Sequence, residues 1–229
     1  MTKLIVECCA NSVQSAINGQ AGGADRIELC ANLELDGTTP SAAAICMARE
    51  VLDIDLFVLI RPRSGNFVYT ELELEEMLQD IEFCKEIGCQ GVVIGSLNAD
   101  NTVNIPQTKA MVQAAKPMQV TFHRAFDHTS DPKKAIEDII STDCQRILTS
   151  GQAENVSAGL KQLKILQSIA QDRITLIAGG GLNPTNALQL YPLGIREFHL
   201  SGIDKKSHSH PQTQVSKIEE LIDNLYGLE

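Results

Sequence analysis

The sequence predicts an α/β protein built as a single (β/α)8 barrel of the TIM type, one domain over residues 1–229. Two observations carry that prediction. Eight short runs rich in β-branched residues alternate with stretches of helical apolar spacing, and nearly every run ends in polar residues. Strict alternation makes the strands parallel, because each helix must carry the chain back across the sheet. A doubly wound open sheet is the rival arrangement. Against it, no GxGxxG follows the first run, and the polar tips are spread over the runs instead of gathering at one switch point.

In chain order the runs are LIVECC (4–9), DRIELC (25–30), LFVLIRPR (56–63), GVVIGS (91–96), QVTFHR (119–124), QRILTSG (145–151), ITLIAGGG (174–181) and EFHLSG (197–202). Strand ends are expected near residues 9, 30, 63, 96, 124, 150, 179 and 201. Between them, 70–88 and 158–172 show the clearest helical periodicity. GADRIELC, DCQRILTSG and GIREFHLSG echo one another, each with a turn, an arginine and a strand with a polar tip. Asp131 before Pro132 reads as a helix N-cap followed by the first helical position.

The chain is 43% apolar with no tryptophan, so its core must be built from Leu, Ile, Val and Ala. A net charge of −10 and the lack of any basic run leave nothing to neutralise nucleic-acid phosphates or an anionic membrane. The start MTKLIVECC is too short in its apolar run for a signal peptide, and no later segment approaches bilayer length. A cytoplasmic address is expected. Seven cysteines without a CxxC pair fit a reducing compartment, most of them as small buried hydrophobes.

Strand phase then selects candidate residues. Side chains alternate in and out, so Glu7 with Cys9, Glu28 with Cys30, Arg61 with Arg63, Thr121 with His123, and His199 with Ser201 share faces. Pointing to the barrel axis, they would fill the C-terminal mouth with carboxylates, guanidiniums and imidazoles, whose burial requires partners or a ligand. Opposite charges on different strands can also pair without any function. As an enzyme, the mouth would use Glu7 or Glu28 with His123 as acid and base, His199 beside them, and Arg61 as an anion clamp whose removal spares the fold. Arg124 and Asp127 are read as strand-to-helix supports.

Gly179, Gly180 and Gly181 after the seventh strand, with Ser201 and Gly202 after the eighth, have the form of an anion-binding corner, its helix starting at Asn183-Pro184. Glycine-rich turns serve tight packing equally well. The segment IRPRSGNFVY (60–69) is expected to form a mobile flap over the mouth, closing on a ligand with Phe67 and Tyr69. HSH at 208–210 reads as a solvated turn in preference to a metal site.

GADRIELC, DGTTPS, LIRPRSGNFVY, VTFHRAFD and LTSGQ, in this order, resemble the CutC family over nearly the whole chain. Asp36 departs from the family's more frequent glycine there, which bears on the local loop. The resemblance implies a (β/α)8 barrel, an association with copper homeostasis, a cytoplasmic setting and a homo-oligomer. Two readings follow: a Cu(I)-binding protein, or an enzyme acting on a small anionic, phosphorylated or similar substrate. For copper(I), Cys9 and Cys30 lie in the inward phase of adjacent strands, which run roughly 4.8 Å apart, so their sulfurs could share one soft ion. Cys8, out of phase, should face the helices. Filling of the mouth by two small side chains is the alternative, and the neighbouring carboxylates of Glu7 and Glu28 disfavour thiolates.

Overall fold

In a computed structural model, which describes residues 3–203 and 211–227, eight parallel strands close into a barrel in sequence order. They are β1 (Ile5–Ala10), β2 (Arg26–Leu29), β3 (Asp55–Leu59), β4 (Gly91–Ile94), β5 (Gln119–Phe122), β6 (Arg146–Thr149), β7 (Thr175–Gly179) and β8 (Glu197–Leu200). The helices are α1 (Val13–Ala21), α2 (Ala42–Val51), α3 (Glu71–Glu86), α4 (Ile105–Ala115), α5 (Pro132–Ile140), α6 (Leu160–Ala170), α7 (Pro184–Ala187) and α8 (Val215–Tyr226). Among the described residues no helix is long and apolar enough to cross a membrane. The HSH stretch at 208–210 lies outside the described residues.

Seven strand ends fall within two residues of expectation, but β3 stops at Leu59, four short of residue 63. Beyond Ile60 the backbone turns to other partners: Arg61 N–H donates to Thr39 Oγ1 (2.9 Å), and Pro62 has no N–H to continue a ladder.

Alternation sorts the strand residues into two apolar clusters. Val6, Cys8, Ile27, Leu29, Leu56, Val58, Val92, Ile94, Phe122, Leu176 and Phe198 pack outward against the helices, while Cys9, Cys30, Phe57, Leu59 and Val93 pack inside the barrel. Burying a large apolar side chain contributes about 1.5–3 kcal/mol, so the outer layer supplies most of the stability. Cys8 belongs to that layer, its sulfur 3.7 Å from Thr213 Oγ1, as its phase requires.

The helix-start signal at Asp131-Pro132 works as the sequence predicts, and the structure adds a second one at Thr70. Asp131 accepts from the N–H groups of Lys133 and Lys134, with Pro132 opening α5. Thr70 and Glu73 form a capping box at the start of α3, fixing where the segment after β3 rejoins the helical layer.

Candidate functional site in the barrel mouth

β8, β1 and β2 are neighbours in the closed sheet, and register sets Glu7 beside both Arg26 and His199, and Cys9 beside Glu28. All of these residues are buried. His199 Nδ1 lies 2.6 Å from Glu7 Oε1 and 3.6 Å from Glu28 Oε2. Burial works against ionisation of Glu7, but Arg26 and His199 outweigh it and hold the carboxyl down at about 2. Glu7 is therefore the acceptor, Nδ1 carries the proton, and Nε2 is the His199 nitrogen left for a ligand. Burial, with Glu7 nearby, pushes the Glu28 carboxyl up to about 7, and its Oε2 has no hydrogen-bond partner. The His199 imidazole, which burial alone would lower, is held above its usual value by Glu28 and Glu7.

Cys9 and Cys30 meet above this pair, with Sγ atoms 3.9 Å apart. That is far beyond the roughly 2.05 Å of a disulfide, and both are free thiols. Ligand atoms from Cys9, Glu28 and His199 all lie within 4.8 Å of one another. Sharing a proton with Cys30, together with burial and the nearby carboxylate of Glu28, raises the Cys9 thiol well above its ordinary value.

Below them runs a charged layer. Arg26 is bonded to Glu7 and, at 2.5 Å, to Glu197 Oε2; Glu197 also accepts from Arg146 at 3.1 Å. Phe57 receives Arg26 and Arg146 on its ring at 4.8 and 5.5 Å. Arg26, Arg146 and Glu197 were not among the sequence candidates. The signal was available: Arg26 sits two residues before Glu28 and Glu197 two before His199, so each shares an inward phase.

Arg61 and His123 are buried too, but they do not join the Glu7–Glu28–His199 group as expected. The Arg61 guanidinium is folded back onto the carbonyls of Leu35, Asp36, Gly37 and Gly65 at 2.7–3.1 Å. It pins the loop containing the unusual Asp36, so the expectation that its removal spares the fold needs correction. Arg61→Ala should lower the unfolding free energy by about 2 kcal/mol in urea titration, since four carbonyls lose their donor. Arg63 does not point inward at all: past the end of β3 the two-residue phase no longer holds, and Arg63 pairs with Glu73 and stacks on Tyr69 at 5.4 Å. His123 leans over Gly95, where any Cβ would lie 2.4 Å from the ring. Its Nδ1 accepts from Ala125 N–H at 3.1 Å, and burial, aided by Arg61, holds it down at about 3. A neutral His123 is a poor base near neutral pH, against its expected acid-base role.

The 60–69 segment is closed over this half of the mouth. Phe67 and Tyr69 are buried, and the Phe67 ring lies 5.1 Å from His123, 5.3 Å from His128 and 4.8 Å from the Arg61 Cζ. A cleft of about 230 Å³ lies outside it, against Arg61, Asn66, Asn101 and His128.

The glycine corner differs from expectation at its helix. Gly180 and Gly181 do adopt positive φ, +100° and +66°. However, α7 is a single turn whose N–H groups are already taken: Asn183 accepts from Thr185 and Asn186, and Asn186 returns a bond to Asn183 N–H. An anion would find no free donors at that helix start. Arg124 faces the corner instead, its Cζ 3.0 Å from where a Gly180 Cβ would stand, tied to Asp127 at 2.8 Å and Ser150 at 3.0 Å. Asp127 also accepts from Ser150 and Gln152 N–H, the supporting role expected of it. Ser201 and Gly202 offer their carbonyls to Thr213 and Gln214, anchoring the approach to α8.

Residues 4–204 match the CutC family, and the family protein CutC of Bacteroides thetaiotaomicron is 47% identical over 203 residues, 88% of this chain and 82% of the relative. The chain belongs to the CutC family. A CutC-family protein of Chromobacterium violaceum is 46% identical over 198 residues, 86% of this chain and 80% of the relative. A crystal structure of the copper homeostasis protein CutC from Streptococcus agalactiae superposes with a TM-score of 0.82 at 32% identity, covering 86% of this chain and 98% of the other. Phosphoribosyl anthranilate isomerase from Thermus thermophilus, at 16% identity and a TM-score of 0.64 over 99% of this chain and 100% of its own, shares the barrel fold alone. CutC membership thus accounts for the five motifs, and the residues that converge in the mouth come from three of the eight strands.

Proposed function

We propose that this CutC-family barrel binds Cu(I) in its mouth through the thiolates of Cys9 and Cys30, with the His199 imidazole, within 4.8 Å of the Cys9 sulfur, turning in as third ligand. The observation that carries this is the 3.9 Å separation of the two sulfurs. With metal–sulfur bonds of about 2.3 Å, one ion can span sulfurs up to roughly 4.6 Å apart. Two thiolates and an imidazole form a soft donor set suited to Cu(I). Glu7, accepting from His199 Nδ1, is the carboxylate that commonly orients a metal-binding histidine. The copper homeostasis name of the Streptococcus agalactiae relative points the same way.

The raised Cys9 thiol gives the reading a chemical consequence: metal must displace a proton, so binding strengthens with rising pH. Free thiols at all seven cysteines support a reducing, cytoplasmic setting. Met47 and Val51, four residues apart on α2 and exposed, support a homo-oligomer that would cover them.

The test is a Cu(I) competition titration on the reduced protein. Cys9→Ser/Cys30→Ser should lose about a hundredfold in affinity, the upper end of what removing even a supporting group costs. Cys8→Ser should bind as wild type does, because Cys8 faces the helices. Equal affinity of the double variant and wild type would sink the thiolate site.

A further inference from the structure

We propose a second site in the mouth, independent of the metal reading: the β3–β5 half binds a small oxyanion, a carboxylate or phosphate group, in the place that Phe67 now covers.

Buried polar groups in folded proteins almost always find partners. Here Arg61 Nε, Thr121 Oγ1 and His123 Nε2 are buried without one. Thr121 lies on β5, His123 just past its end and Arg61 just past the end of β3, and all three are buried. His123 leans over Gly95, whose missing side chain leaves the ring its room. Each orphan is a donor. Arg61 Nε can only donate. In neutral His123, Nδ1 accepts from Ala125, so the ring proton is on Nε2. Thr121 can donate as readily as accept.

Charge agrees with this. Arg61 is 3% exposed, its hydrogen bonds run to loop carbonyl oxygens and the Tyr69 hydroxyl lies beside it; among the described residues no carboxylate pairs with it. A buried cation with unused donor capacity and no counter-ion is completed by an anion. Phe67 packs against both the Arg61 guanidinium and the His123 ring, at 4.8 and 5.1 Å, and so covers two of the groups that carry orphan donors. Its outer side borders the 230 Å³ cleft, so displacing one ring would join the cleft to the donors. That volume suits a small metabolite and not a chain. Cys9, Cys30 and His199 take no part in it.

The experiment is calorimetry on the reduced, metal-free full chain, titrated with inorganic phosphate and with acetate at constant ionic strength. Thr121→Val removes the orphan hydroxyl without changing side-chain shape, and should weaken binding about tenfold while raising the unfolding temperature of the free protein. His123→Asn keeps an acceptor for the Ala125 N–H, since asparagine is a good N-cap, but loses the Nε2 donor; it should weaken binding similarly. Phe67→Ala, which removes the competing ring, should bind more tightly. Heat with phosphate alone identifies a phosphoryl ligand, and heat with both probes identifies a carboxylate-tolerant site. No heat with either probe in wild type and Phe67→Ala overturns the proposal, as does wild-type affinity in both donor variants.

Discussion

Arg26→Met should remove about 3–5 kcal/mol of folding free energy, the cost of breaking a buried ion pair by deleting one partner. Arg26 is 3% exposed and bonds to two carboxylates, Glu7 at 0% and Glu197 at 8% exposure. Without it, among the described residues Glu7 keeps only His199 and Glu197 keeps only Arg146. A methionine fills much of the volume against Phe57, so the loss reports charge and not a cavity. Equilibrium unfolding in urea at neutral pH measures it. Glu7→Gln in the same background should cost less than it does alone, because the two groups act on each other. A loss below about 1 kcal/mol for Arg26→Met would show that water reaches this layer and screens it.

The second large effect is a gain. Glu28→Gln should stabilise the protein at alkaline pH by up to about 3 kcal/mol while changing little in mild acid. The Glu28 carboxyl sits near 7 in the fold against its ordinary 4.5. The fold therefore favours the protonated group: that contribution is complete below pH 4.5 and is lost as pH rises through 7. His199, also raised, loses its contribution in the same direction above 6.5, as its attraction to Glu28 and Glu7 fades. Glu7 runs the opposite way. Held at about 2, it stabilises above 4.5 and stops doing so as pH falls toward 2. Urea unfolding of wild type and Glu28→Gln at about pH 5 and about pH 8 separates these contributions. An equal difference at both pH values would mean that Glu28 does not titrate between them, against the raised carboxyl.

How far the site could be read from sequence depends on where each residue sits relative to a strand. Cys9 and Cys30 were within reach because both lie in or beside ladders where the two-residue period holds and neighbouring strands are a fixed distance apart. Glu7, Glu28 and His199 followed from the same rule. Arg61 and Arg63 lie past the end of β3, so nothing periodic fixes their direction; Arg61 turned to loop carbonyls and Arg63 turned outward. Asn183 shows a different limit. Its type and position identified the cap, but the same side chain that marks a helix start also takes that helix's own N–H donors, leaving the Gly180 and Gly181 backbone as the part of the corner an anion could approach. Arg26, Arg146 and Glu197 obeyed the phase rule but lie at strand beginnings, away from the polar tips that draw attention in a barrel.

The charged layer of Arg26, Glu197 and Arg146 around Phe57 also sets the traffic of the barrel. It closes the axis beneath the two thiols with packed side chains, so anything that reached them would have one way in, from the rim, where a tube would have had two. Anything bound there must leave by the rim it entered. On the Cu(I) reading proposed above, a giver and a receiver of the ion would compete for one face, so hand-over would be sequential, with the loaded barrel as a free intermediate between two encounters.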